Sequence, residues 1–330
     1  IIEEGKDRGF INIAVWRSKD DNNTFNARIM ENCVTLAYFY CTNRPWNIYY
    51  AHPALRARLE AALERWRSMQ GPDGKFTEYS PTDWNLAATA FSTKFMGETL
   101  RLLHDGPPID ARLHQQIIDA QRKTILCVLT DEQFWADGQA FSNQYSNVWG
   151  GALAYMQLYS DPEIDALLRQ RLRQSMTALQ SPAGYFYEKN GPDWGYSLGT
   201  HHSNLHVAWH YARGTDLAPL FVEKKERWCQ WLSYNAVLEP DGSGRAMEVF
   251  IPHHECWALD VRDPAFVAQK RRRLGFDAVL DDGSEAVAGQ RKAVEEVGVL
   301  EGQEIHDLIE KPPGFGSAED LVNAHGGGLD

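Results

Sequence analysis

The sequence predicts a mainly α protein with little β structure, built of helical hairpins in an incomplete or complete (α/α) toroid. Three observations carry this expectation. Segments 53–69, 84–104, 110–129, 143–159, 161–179, 204–213 and 216–234 repeat apolar residues at three- and four-residue spacing, the period of a helix with one buried face. Only 246–251 (AMEVFI) reads as a strand. Similar turns follow helices at 71–76 (GPDGKF), 130–138 (TDEQFWADG), 181–186 (SPAGYF) and 239–244 (EPDGSG), about 50 to 60 residues apart. That period fits one helical hairpin with its loops, so the hairpins would close as a toroid or extend as a solenoid. One rim would then be lined by aromatic loops.

Each helix has its own stripe. Leu55, Leu59, Ala62 and Trp66 mark the first, and Ala88, Phe91, Phe95 and Leu102 the second. Leu113, Ile117, Ala120 and Cys127 mark the third, and Tyr145, Val148, Ala152, Tyr155 and Tyr159 the fourth. The last three use Ile164, Leu168 and Leu172, then Leu205, Ala208 and Ala212, then Leu217, Phe221 and Trp228. From about residue 260 the character changes. KRRR at 270–273 is followed by acidic, Gly-containing sequence, then KPPGFG and a GGGLD end. The division is therefore 1–260 as the toroid and 261–330 as a charged C-terminal extension of peripheral helices or loose packing.

With 43% hydrophobic and 24% charged residues, the balance is that of a globular chain and not a disordered one. A net charge of −12 argues against a nucleic-acid binder, which carries a basic excess or stripe. It would also oppose a polyanionic ligand if it were evenly spread. It is not. Residues 295–330 hold nine acidic side chains and one Lys, leaving only −4 on residues 1–294. No run of about 18 apolar residues exists, so no transmembrane helix is expected. The chain opens at Ile1 on a charged stretch, with neither initiator Met nor signal peptide, and reads as processed or trimmed. Five scattered Cys (33, 41, 127, 229, 256) form no CxxC, which disfavours a disulfide scaffold and predicts buried free thiols. Eleven Trp stand out. They serve a core, and they also serve as platforms for flat ligands such as sugar rings.

Residues 181–214 concentrate chemistry: four of the eleven His, with Tyr185, Tyr187, Tyr196, Tyr211, Trp194 and Trp209. Glycines make 188–200 a loop, and HHSNLHVAWHY then reads as helix. His202, His206 and His210 share one helical stripe, but no carboxylate stands between them as in zinc-binding helices. Eight residues of helix also rise roughly 12 Å, too far for one ion. No metal and no cofactor is expected. A loop Tyr beside His suits other chemistry. A phenol near pKa 10 becomes a usable base when cations stabilise its phenolate, and it then takes and returns a proton. Such a group performs β-elimination on a uronic acid, provided the substrate carboxylate is neutralised.

The pairing of FSNQYSNVWGGALAY (141–155) with GYFYEKNGPDWGYSLGTHHSNLHVAWHY (184–211) resembles the α/α-toroid polysaccharide lyases. These are the heparinase II/III-like group and the related alginate and glucuronan lyases. In them an Asn opening an inner helix neutralises the substrate carboxylate, and a loop Tyr follows fifty to sixty residues later. Here Asn143 and Tyr196 are 53 apart, with Tyr187 and Glu188 preceding the Tyr. The resemblance implies Tyr196 as acid and also base, and Asn143 with Gln144 as carboxylate neutralisers. His201 or His202 would tune the Tyr or transfer a second proton. The family's Asn-His is Asn143-Gln144 here, so an amide replaces an imidazole. One Tyr in both roles fits syn elimination from glucuronate or mannuronate.

Segment 76–91 (FTEYSPTDWNLAATAF) matches a cleft-lining stretch of such toroids and adds Tyr79, Trp84 and Asn85 as implied substrate contacts. Trp149, Glu188, Lys189, Trp194 and Arg245 complete the implied binding set, although core packing stands as an alternative for each Trp. The implied partner is an acidic polysaccharide, with no nucleic acid and no membrane. The implied location is secreted or periplasmic. Two rivals remain. An (α/α)-barrel glycoside hydrolase, such as an unsaturated glucuronyl hydrolase, would use rim carboxylates, for which Asp83, Asp137, Glu188 and Asp193 are available. A non-catalytic carbohydrate-binding toroid would use the aromatic rim alone.

Overall fold

A computed structural model describes residues 1–13, 22–189, 191–238 and 244–246. Their fold is mainly α. A 3-10 turn at Ala27–Asn32 leads into α1 (Cys33–Cys41), followed by α2 (Pro53–Met69), α3 (Leu86–Asp105) and α4 (Ala111–Thr130). Then come α5 (Glu132–Ala140), α6 (Ser142–Tyr145), α7 (Asn147–Leu158) and α8 (Pro162–Ala178). A three-residue helix α9 (Trp194–Tyr196) and a π turn at Ser197–His201 run directly into α10 (His202–Ala212), and α11 (Ala218–Asn235) follows. The described strands are β1 (Ala236–Leu238) and β2 (Gly244–Ala246), an antiparallel pair with Val237 opposite Arg245. The expected strand reaches 251, and residues 247–251 lie outside the described residues, as does 261–330.

Helix starts follow local chemistry. Asn85 accepts from Ala88 N–H at 2.9 Å, Asp110 from Leu113 N–H at 2.8 Å, and Asp131 from Phe134 N–H at 2.9 Å. Each satisfies a backbone donor that the first helical turn leaves open. Pro53 and Pro162 occupy first-turn positions where no N–H is needed.

Three sequence expectations change here. The stretch 130–138 is not a turn. Asp131 ends α4 and caps α5, so the corner between two helices takes a single residue. Helix α1 (CVTLAYFYC) had no amphipathic period to reveal it, being apolar nearly all round. The stretch 188–200 is a loop only as far as α9. Among the described cysteines all four are free; Cys33 and Cys127 are buried, as expected, but Cys229 is exposed. Burial pushes the Cys33 and Cys127 thiols up to about 12, which keeps them protonated and inert.

The core centres on α7, whose residues Asn147–Tyr155 are all buried. It packs against α3 and α10 and also meets α4 and α8, while α2 meets α4, α4 meets α8, and α10 meets α11. The α3–α7 crossing is close because Gly151 lies against the Thr93 backbone, where a Cβ would stand 2.5 Å from the carbonyl. Among the described residues no helix is long and apolar enough to cross a membrane.

Two of the expected turns are copies of one device. At 70–76 and 180–186 a Gln, a Pro turn, a Gly and a Phe recur in register. Gly71 N–H bonds Lys75 O at 2.9 Å, and Ser181 N–H bonds Tyr185 O at 2.7 Å. The Gln70 amide reaches Ala120 O on α4, and the Gln180 amide reaches Lys224 O on α11, at 2.8 and 2.9 Å. Gly74 (φ +95°) and Gly184 (φ +111°) press their backbones against Lys123 O and Arg227 O. A side chain at Gly184 meets both a left-handed backbone and a carbonyl. Gly184→Ala is expected to destabilise the protein by about 2–4 kcal/mol, measured as a lowered midpoint of chemical denaturation.

Candidate functional site

The sequence motif at 141–155 meets the motif at 184–211 through one buried carboxylate. Glu188 has no exposed surface. Its Oε1 accepts the Asn143 backbone N–H at 2.8 Å, and its Oε2 accepts the Asn143 side-chain amide. His201 Nε2 stands 3.0 Å from Glu188 Oε1 and 3.0 Å from Ser142 Oγ. Ser142 Oγ itself donates to Tyr187 O at 2.8 Å. Facing a carboxylate, Nε2 must carry the ring proton. The His201 ring stacks on Phe186 at 4.3 Å and 14°.

A Ser, a His and a Glu in contact invite comparison with a nucleophilic triad. The geometry denies it. A triad places the nucleophile and the acid on opposite nitrogens of the imidazole, whereas here both meet Nε2. The cluster is an anchor. It joins Glu188 to His201, and the stretch between them carries α9 and the π turn. Tyr196 rides on that stretch, half-buried, with its backbone N–H held by Asp193 Oδ1 at 2.9 Å.

A second layer holds Asn143 from behind. Buried Asn204 of α10 donates to Asn143 O at 3.0 Å and to Ser146 Oγ at 2.7 Å. Lys94 of α3, also buried, donates to Asn204 Oδ1 and Ser203 Oγ at 3.1 Å each. Asn147 adds a bond to Asn143 O at 2.9 Å. Three helices therefore fix one carbonyl.

The expected residues divide clearly. Asn143, Glu188 and His201 are joined by direct hydrogen bonds. Gln144 is half-buried beside them on α6. Asn143 is only 3% exposed and Glu188 and His201 are fully buried, so these three position the site more than they present surface to a ligand. His202 packs edge-on against Trp228 at 4.2 Å, which removes it from that cluster. Trp149 is fully buried against Phe221, a core residue and not a surface platform. Asn85 is the α3 cap and also donates to Asp83 at 2.7 Å, which explains it without a substrate. Tyr79 and Trp84 are 64% and 41% exposed, in the turn before α3, outside the Glu188 network. Lys189 is exposed with φ +56°, its N–H turned to Ala140 O. Trp194 lies on α9 and Arg245 on β2; their side chains lie outside the described residues.

On the histidine stripe, His206 and His210 stand 6.5 Å apart by ring centres, and Arg213 bonds His210 Nδ1 at 2.7 Å. Among the described residues no group of three or more His, Cys, Asp or Glu is arranged to hold a metal ion. Sequence reasoning missed Ser142, Asn204 and Lys94. Ser142 adjoins Asn143 in the same motif. Lys94 interrupts the small-residue stripe Ala87, Ala90, Gly97 on α3, a signal that was readable.

Comparison with protein-family models, curated proteins and solved structures finds no match for this chain.

Truncation of Glu188 leaves Asn143 and His201 without their common acceptor, in a site closed to water. Glu188→Ala is expected to cost about 3–5 kcal/mol in denaturant unfolding. Burial, with Lys225 and His201 adding repulsion, pushes the His202 imidazole down to about 4, against about 6.5 in an unfolded chain. Between those values the unfolded chain binds the extra proton. The stability held by neutral His202 is complete above about 6.5 and is lost as pH falls toward 4. The fall should amount to roughly 1–3 kcal/mol, and His202→Phe should flatten it in denaturation curves taken across that window.

Proposed function

We propose that the chain is a polysaccharide lyase that cleaves a uronic-acid polymer by β-elimination, with glucuronan or mannuronate-type alginate preferred. The observation that carries this reading is the Glu188 anchor. It ties the Asn143 motif to Glu188 and His201, which flank the stretch carrying Tyr196, and so supports pairing a carboxylate neutraliser with a proton-transfer group. The α/α toroid belongs to the same proposal: α3, α7 and α10 would be its inner row, and α2, α4, α8 and α11 its outer row. Supporting this are the contacts of α7 with both neighbours and the repeated Gln–Gly–Phe turn. An acidic polysaccharide is the proposed partner, and a secreted or periplasmic location follows from the same resemblance.

In the proposed reaction the Tyr196 phenolate takes the C5 proton of a uronate unit. The carboxylate accepts the developing charge, where amide N–H groups stabilise it. Gln144, half-buried, supplies them, and Asn143, held by Glu188, positions α6 beside it. The C4–O bond then breaks as a C4–C5 double bond forms. Tyr196 returns its proton to the departing glycosidic oxygen, which regenerates the phenolate. His201, engaged with Glu188 and Ser142, closes the base of the loop and leaves both proton transfers to Tyr196. That arrangement supports a syn elimination. Glu188, enclosed and engaged by Asn143 and His201, is poorly placed to act as a rim acid of a hydrolase.

The test is incubation with glucuronan, alginate, hyaluronan and heparin while following ultraviolet absorbance from the new double bond. Absorbance should rise with at least one polymer. New reducing ends without absorbance would mean hydrolysis and sink the lyase reading. Tyr196→Phe should lower kcat by about 10²–10⁴-fold. Full retained activity would remove Tyr196 from the mechanism.

A further inference from the structure

Where α7 and α10 end and α8 and α11 begin, a cavity of about 420 Å³ opens. Leu153 and Met156 of α7, Asp165 and Arg169 of α8, Tyr211 of α10 and Leu217 before α11 are among its walls. Its volume lies within the roughly 300–1,000 Å³ of small-molecule sites. Leu153 and Met156 stand roughly 9–14 Å along α7 from Asn147, and no residue of the Glu188 network lines the cavity.

The walls are apolar below and fixed above. Leu153, Tyr211 and Leu217 are buried. The Tyr211 hydroxyl donates to Glu98 of α3. At the exposed rim the Gln157 amide donates to Tyr211 O at 2.9 Å. Thr215 Oγ1 donates to Ala212 O at 2.7 Å and accepts the Leu217 N–H at 3.2 Å. A site held in this way has little left to order when a ligand enters.

Charge then selects the ligand. Asp161, Asp165 and Arg169 are the charged side chains in the lining. Arg169 Nε donates to both Asp165 oxygens at 3.0 and 2.9 Å, and its terminal nitrogens donate to Asp216 at 2.6 and 3.1 Å. Arg122 donates to Asp161 at 2.6 Å and to Glu163 at 2.7 Å. Each guanidinium thus answers two carboxylates, and four acids outnumber two cations. Hydrogen bonding leans the same way. Every nitrogen of Arg169 is engaged, as is the Thr215 hydroxyl hydrogen. A carboxylate offers about four lone-pair sites, and the bonds to Asp165 come from Arg169 Nε alone. Acceptors are in surplus, so the fitting ligand is a positively charged donor with an apolar body. Among the described residues no group of three or more His, Cys, Asp or Glu is arranged to hold a metal ion, so the cation is an organic one.

We propose that this cavity binds a small organic amine, its ammonium on Asp165 and its hydrocarbon part on Leu153, Met156 and Leu217. The site stands independently of the lyase reading.

Isothermal titration calorimetry of the full chain at low ionic strength compares benzylamine, benzyl alcohol and benzoate, which share a ring and differ in charge. Benzylamine should bind about 5-fold more tightly than the alcohol, with benzoate weakest. Asp165→Asn keeps the shape of the wall and should remove that preference. Met156→Lys puts a cation inside the cavity and should abolish benzylamine binding, which carries the test where Asp165→Asn does not fold. Binding of none of the three, an alcohol or benzoate bound as tightly as the amine, or benzylamine affinity unchanged in either variant would overturn the proposal.

Discussion

The candidate site depends on the Glu188 carboxylate. A charged acceptor with no exposed surface is tolerated only where donors surround it. Here a backbone N–H, an amide and an imidazole do so, with Ser142 Oγ at the margin. The donors come from two places: Asn143 from the start of α6, and His201 from the π turn before α10. The energetic need of one carboxylate is thus what closes the loop carrying Tyr196. The same need fixes the His201 tautomer and orients the Asn143 amide. Local geometry at the candidate site and long-range packing are satisfied by the same bonds.

The repeated turn ties helices distant in sequence in a comparable way. After α2 and again after α8, a Gln side chain ties the turn to a later helix, while a glycine lets the two backbones touch. Phe76 then stacks on Trp66 at 5.1 Å, and Phe186 stacks on His201. The difference is informative. In the first copy the stacked partner is another core aromatic. In the second it is an imidazole bound to Glu188, so a structural turn has been joined to the site. Phe186 of this second copy thereby holds the His201 end of the stretch that carries Tyr196.

Periodic helices were legible because amphipathic spacing is a direct consequence of one-sided burial. Pro53–Met69 matches its expected bounds, and α4, α8 and α11 lie within two residues of theirs. The stripe logic fails where a helix is apolar nearly all round although only one stripe (Cys33, Ala37, Tyr40) is buried, as in α1, or where a helix is as short as α5. At the site, the segments 141–155 and 184–211 were visible as two motifs. What joins them was not, since Glu188 and His201 are separated by loop and their contact depends on tertiary closure. Trp149 shows the converse error. An aromatic near a motif invites a surface role, but α7 is buried all round and offers no solvent face there.

Two buried lysines show how the interior handles charge in a chain with a net of −12. Lys94 and Lys224 each occupy the apolar stripe of a helix, on α3 and α11 respectively. Lys94 is answered within the chain by Ser203 Oγ and Asn204 Oδ1, and through Asn204 it braces the Asn143 carbonyl. Its charge is therefore spent on positioning. Lys224 Nζ has the Trp149 ring centre at 5.3 Å and no hydrogen-bond partner in the chain, so the same residue type in a similar setting is left unanswered. A face of Trp149 attracts a cation, yet at 5.3 Å it replaces little of a lost hydration shell. The contrast rules out a common explanation in which buried lysines merely extend their stems through the core. One completes a hydrogen-bond network. The other has no hydrogen-bond partner in the chain, and burial pushes its amine down to about 7.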